Sequence, residues 1–200
     1  MGFTKEKIYN LVLNNLGVTA IVQNTTEVTP KVTTLNNYYD IALEQVSKDF
    51  DWNFLNRKEP LTLISEKSPD PKYLFAYDYP NDCIAARSVI DKAGGEYKKF
   101  DVTTSKNGSR IIVCNIQDAV LNYTRKIQTQ MPEAYFPSEF VTALAFYLAF
   151  LTADAIVGNT QKKQMNYQSY QIALGKAKAM SANESEKQDQ DDRNYTEFRN

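Results

Sequence analysis

A chain of 200 residues with 42% hydrophobic content can bury one sizeable core, as a single domain or a domain with a subdomain. Its formal net charge of -1 argues against a dedicated nucleic-acid binder and against a polybasic membrane anchor. The chain has no histidine, which removes Ser-His-Asp and Cys-His catalysis together with the commonest metal ligand.

The first element is a helix over 4–16, where Ile8, Leu11, Val12 and Leu16 keep helical spacing and Gly17 supplies a stop. Residues 18–34 are rich in Thr and Val and contain Pro30, which predicts an extended connection. A second helix follows over 34–51, with Leu35, Tyr38, Tyr39, Ala42, Leu43, Val46 and Phe50 on one stripe. Trp52 and Phe54 close it and are expected as core or interface anchors.

From Arg57 to Arg125 the period changes to that of strands. Leu61 to Leu63, Tyr73 to Tyr77, Ile84 to Ile90, Tyr97 to Val102, the run RIIVC and Ala119 to Thr124 read as strands of one small antiparallel sheet. Gly94-Gly95 marks a tight turn, and Asn107-Gly108 is a strong hairpin signal before RIIVC. Cys83 and Cys114 each stand alone in apolar sequence, as buried free thiols do, with a disulfide as the alternative.

The most apolar stretch is 138–157, SEFVTALAFYLAFLTADAIV, a strong helix former with Ser138 as expected N-cap and Gly158 as stop. Such a helix is buried on several sides, in a core or between subunits, and Leu144 and Leu148 share one face of it. Asp154 inside the window argues against a membrane span. A fourth helix is expected over 160–182, with Met165, Tyr170, Ala173, Leu174 and Ala177 along its packed side. Residues 183–200 carry six acids against three bases and few apolar groups, so a flexible tail is expected. Its Tyr195 and Phe198, with Arg199 beside them, are the candidate contact to a neighbour or partner.

The element order predicts an α+β fold: a helical bundle from 1–56 and 130–182, an inserted antiparallel β subdomain over 57–129, and the tail 183–200. No catalytic, cofactor or metal motif is present in the sequence, and the seven glycines form no phosphate loop. MGFTKEK lacks a signal-peptide core, so a cytosolic product is expected and the sequons at Asn24, Asn107, Asn122, Asn183 and Asn194 read as chance. Two other function classes stay open. One is a carboxylate-based glycan hydrolase using Asp78, Asp82 or Asp118. The other is a nucleic-acid-binding regulator, for which twelve bases against nine acids over 57–126 make a weak electrostatic footprint.

Several strings resemble one family in order and spacing. Asp51-Trp52-Asn53-Phe54 with Arg57 and Leu61 is similar to a Trp-x-Phe helix end leading into a first strand, and Tyr79-Pro80-Asn81-Asp82-Cys83 to a Tyr-Pro-x-Asp-Cys turn. The alanine-rich helix after Met131-Pro132, then Gly158 and a lysine- and glutamine-bearing helix, completes a likeness covering most of 4–182. Together they resemble the tail tubular protein A family, the head-to-tail adaptors of short-tailed bacteriophages. The resemblance implies a structural virion protein, made in the host cytoplasm and placed in the tail at the head-tail interface. It implies a dodecameric homo-oligomeric ring joining the portal protein to the tail nozzle protein, with genomic DNA passing through the lumen without sequence-specific binding. No cofactor, enzymatic activity or membrane is implied. The end of the chain departs from the family, being acidic where the family is more apolar and tryptophan-bearing.

Overall fold

A computed structural model describes residues 2–64, 67–92, 97–127 and 131–197, with side chains to 181. The fold is α+β, with four α-helices and two antiparallel sheets of three strands each among the described residues. The chain divides into two compact units, Met1–Val46 with Thr129–Asn200, and Ser47–Gln128. The first unit is helical and contains α1 (Lys5–Asn15), most of α2 (Pro30–Asp49), α3 (Ser138–Val157) and α4 (Thr160–Glu197). The division falls ten residues before the expected boundary at 56, within α2.

Thr4 caps α1, its hydroxyl accepting from the Lys7 N–H, and Ile8, Tyr9, Val12 and Leu13 are the buried stripe. The start of α2 corrects the extended reading of 18–34. Pro30 is the first helical residue, where its missing N–H costs nothing, and the Thr29 hydroxyl accepts from the Val32 N–H at 3.3 Å. Tyr9 holds the two helices together: its ring meets Tyr39 edge-on at 5.7 Å and its hydroxyl donates to Asn36 at 2.7 Å.

Helix α3 occupies the expected residues, but Pro137 is its N-cap and Ser138 is already helical, with the Ser138 hydroxyl turned to Glu139. Gly158 ends it at φ 60, a left-handed conformation that lets the Gly158 N–H reach the carbonyls of Ala153 and Asp154. By length and composition α3 could cross a membrane, and half of it is buried inside its unit. Nine residues are buried, whereas Phe146, Tyr147 and Phe150 are only half covered. An aromatic ladder ties α3 to α4, with Tyr147 against Tyr170 at 4.8 Å and Phe150 against Tyr167 at 5.0 Å.

Helix α4 continues to Glu197, past the end expected at 182, because no proline interrupts 160–197 and Glu, Lys and Gln support the helix. Its N-terminal turn is fixed to α1: Lys162 Nζ donates to the Leu16 carbonyl, and the Asn166 amide donates to Asn15 at 3.5 Å. Lys163 pairs with Asp154.

The second unit holds β1 (Asn56–Pro60), β2 (Phe75–Asp78), β3 (Cys83–Asp91), β4 (Phe100–Thr104), β5 (Arg110–Cys114) and β6 (Ala119–Arg125). They form two sheets, ordered β1-β6-β3 and β2-β5-β4, rather than the single expected sheet. The first strand is the polar run NRKEP, ahead of the expected Leu61 to Leu63, of which Leu63 makes only an isolated bridge to Tyr77. As an edge strand it needs no apolar face of its own, and Pro60, opposite Val120 at its end, has no N–H to donate. Strand β5 is central and buried on both faces. Ile112 and Cys114 join Tyr77, Val89, Leu121 and Tyr123, while Ile111 and Val113 join Ala76 on the other side. Gly108, at φ 84, closes the β4–β5 hairpin, its N–H donating to Ser105 O at 3.0 Å. Asn107 keeps a negative φ, so the turn is a longer type I form and not the two-residue I′ turn. The glycines at 94 and 95 lie outside the described residues.

Candidate functional site

The residues singled out from sequence fall in separate places. Leu144 and Leu148 have no exposed surface and belong to the core of the helical unit. Trp52 is buried in the other unit, packed perpendicular to Phe50 at 4.8 Å, and Phe54 is half-buried. The tail contacts assigned to Tyr195, Phe198 and Arg199 lie outside the residues whose side chains are described, and 183–197 of the tail expected to be flexible belong to helix α4.

The acids considered for hydrolysis sit around the turn Tyr79-Pro80-Asn81-Asp82. A cleft of about 380 Å³ is lined there by Arg57, Glu59, Thr62, Asp78, Asn81 and Asp82, while Asp118 is placed elsewhere, its carbonyl accepting from Lys92 N–H at 3.0 Å. Pairing of β1 with β6 puts Arg57 opposite Tyr123. The Tyr123 hydroxyl donates to Asp82 at 2.9 Å and lies 3.0 Å from Glu59. Arg57 donates to Asp82 at 3.1 Å and pairs with Glu59. Burial first, and then the two carboxylates, push the Tyr123 phenol far above its ordinary value, so it stays a donor. Two acids, one cation and one phenol thus satisfy one another, an arrangement suited to holding a turn.

Replacing Tyr123 by phenylalanine should cost about 1–3 kcal/mol, because the carboxylates lose their shared donor. A urea melt measures it, and a change below about 0.5 kcal/mol would mean that water takes the phenol's place. On the other side of Tyr79, the Arg110 guanidinium stacks over the ring at 3.9 Å above a cleft of about 600 Å³. Cys83, at the edge of that cleft, is a buried free thiol whose pKa burial raises, as is Cys114, so neither is an activated nucleophile. Among the described residues, no group of three His, Cys, Asp or Glu is placed to hold a metal ion.

The helical unit presents a different kind of feature, a set of exposed apolar side chains on helix surfaces. Helix α4 carries two stripes. Asn166, Tyr170, Leu174 and Ala177 are buried, but Met165, Ile172 and Met180 point outward, at 63%, 60% and 50% exposure. Met165 was expected on the packed side. It lies one residue before the buried stripe, a turn of about 100° away from it. Ile172 and Met180 flank an open groove of about 400 Å³ whose other wall is Ser138, Thr142 and Phe146 of α3. Helix α2 also shows Tyr38 and Ile41 to solvent. Sequence reasoning passed over this groove because each helix has enough apolar residues to fill one packed stripe, and the second stripe is visible only once the first is placed. No protein-family model matches the chain, and no curated protein matches it.

Proposed function

We propose that this chain is a structural virion protein, a head-to-tail adaptor that assembles as a dodecameric ring between a portal and a tail nozzle, with DNA passing through the lumen. The observation that carries the reading is the apolar surface of the helical unit. Met165, Ile172 and Met180 form a second, exposed apolar stripe along α4, with Ile172 and Met180 beside the open α3–α4 groove, the kind of surface that serves a protein contact. The element order of two helices, an inserted β unit and two further helices supports the same reading, since it is the order in the resembled family. Of the three acids considered for the rival hydrolase, Asp78, Asp82 and Asp118, Asp82 is engaged with Arg57 and Tyr123.

Purified portal rings should retain the full-length chain in a pull-down. Changing both Tyr195 and Phe198 to alanine should weaken retention roughly tenfold or more, as loss of two aromatic anchors does. Equal retention of both proteins would move the attachment to the helices, and failure of the full-length chain to bind any portal would refute the adaptor reading.

A further inference from the structure

We propose that copies of this chain join head to tail through two different faces of the helical unit, the outer face of α2 on one copy seating in the α3–α4 groove of the next. This deepens the ring reading and rests on it. The groove is a receptor for a helix. Phe146, Ile172, Ala173 and Met180 line it, with Glu139 and Lys176 at its edges, and Met180 adapts its shape to whatever lies there. The second copy's α2 is a fitting occupant. Tyr38 and Ile41 stand three apart on its exposed side, the spacing by which an amphipathic helix anchors in a groove.

Charge on the α4 wall of the groove favours this pairing, with Glu139 the acid on the opposite wall. Residues 160–180 contain four lysines and no acid. Lys162 and Lys163 are engaged by the Leu16 carbonyl and Asp154, while Lys176 lies one turn beyond Ile172 on the exposed stripe. On α2 the apolar pair is accompanied by Asp40 beside Ile41 and Glu44 three residues on, both at the exposed surface. Lys176 of one copy therefore faces a carboxylate-bearing helix of the next, and the contact is strongest at low salt. Because the two faces differ, each added copy leaves one of each open, and assembly continues until a ring closes.

The test combines charge exchange with crosslinking in the full chain, read by native mass and electron microscopy. Lys176→Glu, and separately Asp40→Lys with Glu44→Lys, should each weaken self-association roughly tenfold, and joining all three should restore it. Lys176→Glu is a surface change that should leave the helical circular dichroism and the melt unchanged, and the same two measurements check that the Asp40→Lys, Glu44→Lys protein is folded before its assembly is read. Ile41→Cys mixed with Ile172→Cys should form an oxidised dimer, whereas neither should crosslink alone. Rings that survive both charge reversals without the mixed crosslink would overturn the assigned faces and leave the ring reading standing. A chain that stays monomeric at every concentration and salt would overturn both.

Discussion

Truncating Leu148 to alanine should cost about 2–5 kcal/mol of stability. Leu148 has no exposed surface and lies one turn from the equally buried Leu144. The cost is the lost transfer of a fully buried side chain plus the cavity left behind. Alanine is also the better helix former, which means that the loss reports packing alone. A domain holds about 5–15 kcal/mol in total, so this one side chain decides a large share. Urea denaturation gives the number, and a change within about 0.5 kcal/mol would show that this face of α3 is not packed.

The second large effect is alkaline unfolding. Tyr9, Tyr39 and Tyr123 are all buried, with phenols held far above the ordinary value of 10.0. Burial is the leading cause in each, followed by Asp40 and Glu133 for Tyr9, Glu133 for Tyr39, and Asp82 and Glu59 for Tyr123. Tyr79 is pushed up to about 12. The native state keeps these protons while the unfolded chain releases them near pH 10. The stabilisation is therefore complete below that pH and is lost as pH rises toward the folded values. Each phenol contributes a slope of about 1.4 kcal/mol per pH unit, so the three fully buried ones together remove roughly 4 kcal/mol per unit above pH 10. The last fraction of tyrosinate absorbance, that of these buried rings, should appear together with the loss of helical circular dichroism in one cooperative step during alkaline titration. Full ionisation near pH 10 with the helices intact would contradict the burial of these rings.

Where one local signal sufficed, the sequence was legible. Gly158 stops α3, Asn107-Gly108 turns the hairpin, and the unbroken apolar run RIIVC is a central strand covered on both faces. The misses each have a physical cause. Thr29-Pro30 is a helix start whose threonine-rich approach mimics an extended segment. NRKEP is a strand whose residues are chosen by its edge position, so it lacks the apolar alternation that marks a half-buried strand. A single sheet was expected because alternation tells which residues face inward but not which strands pair. The Arg57, Glu59, Asp82 and Tyr123 cluster joins residues up to 66 positions apart, from Arg57 to Tyr123, through β1–β6 pairing, and no spacing rule reaches that far. The outer stripe of α4 was present in the sequence as Met165, Ile172 and Met180, but apolar residues on two adjacent faces do not declare which face the chain itself covers.

The central claim is that these uncovered helix faces serve assembly. Negative-stain microscopy of the purified full-length chain at low salt, with native mass measured on the same sample, tests it most directly. The account predicts closed rings of uniform diameter and twelve subunits that loosen as salt is raised. Monomers at every concentration would contradict it, and cleavage of a glycan or retention of an oligonucleotide by them would favour a rival.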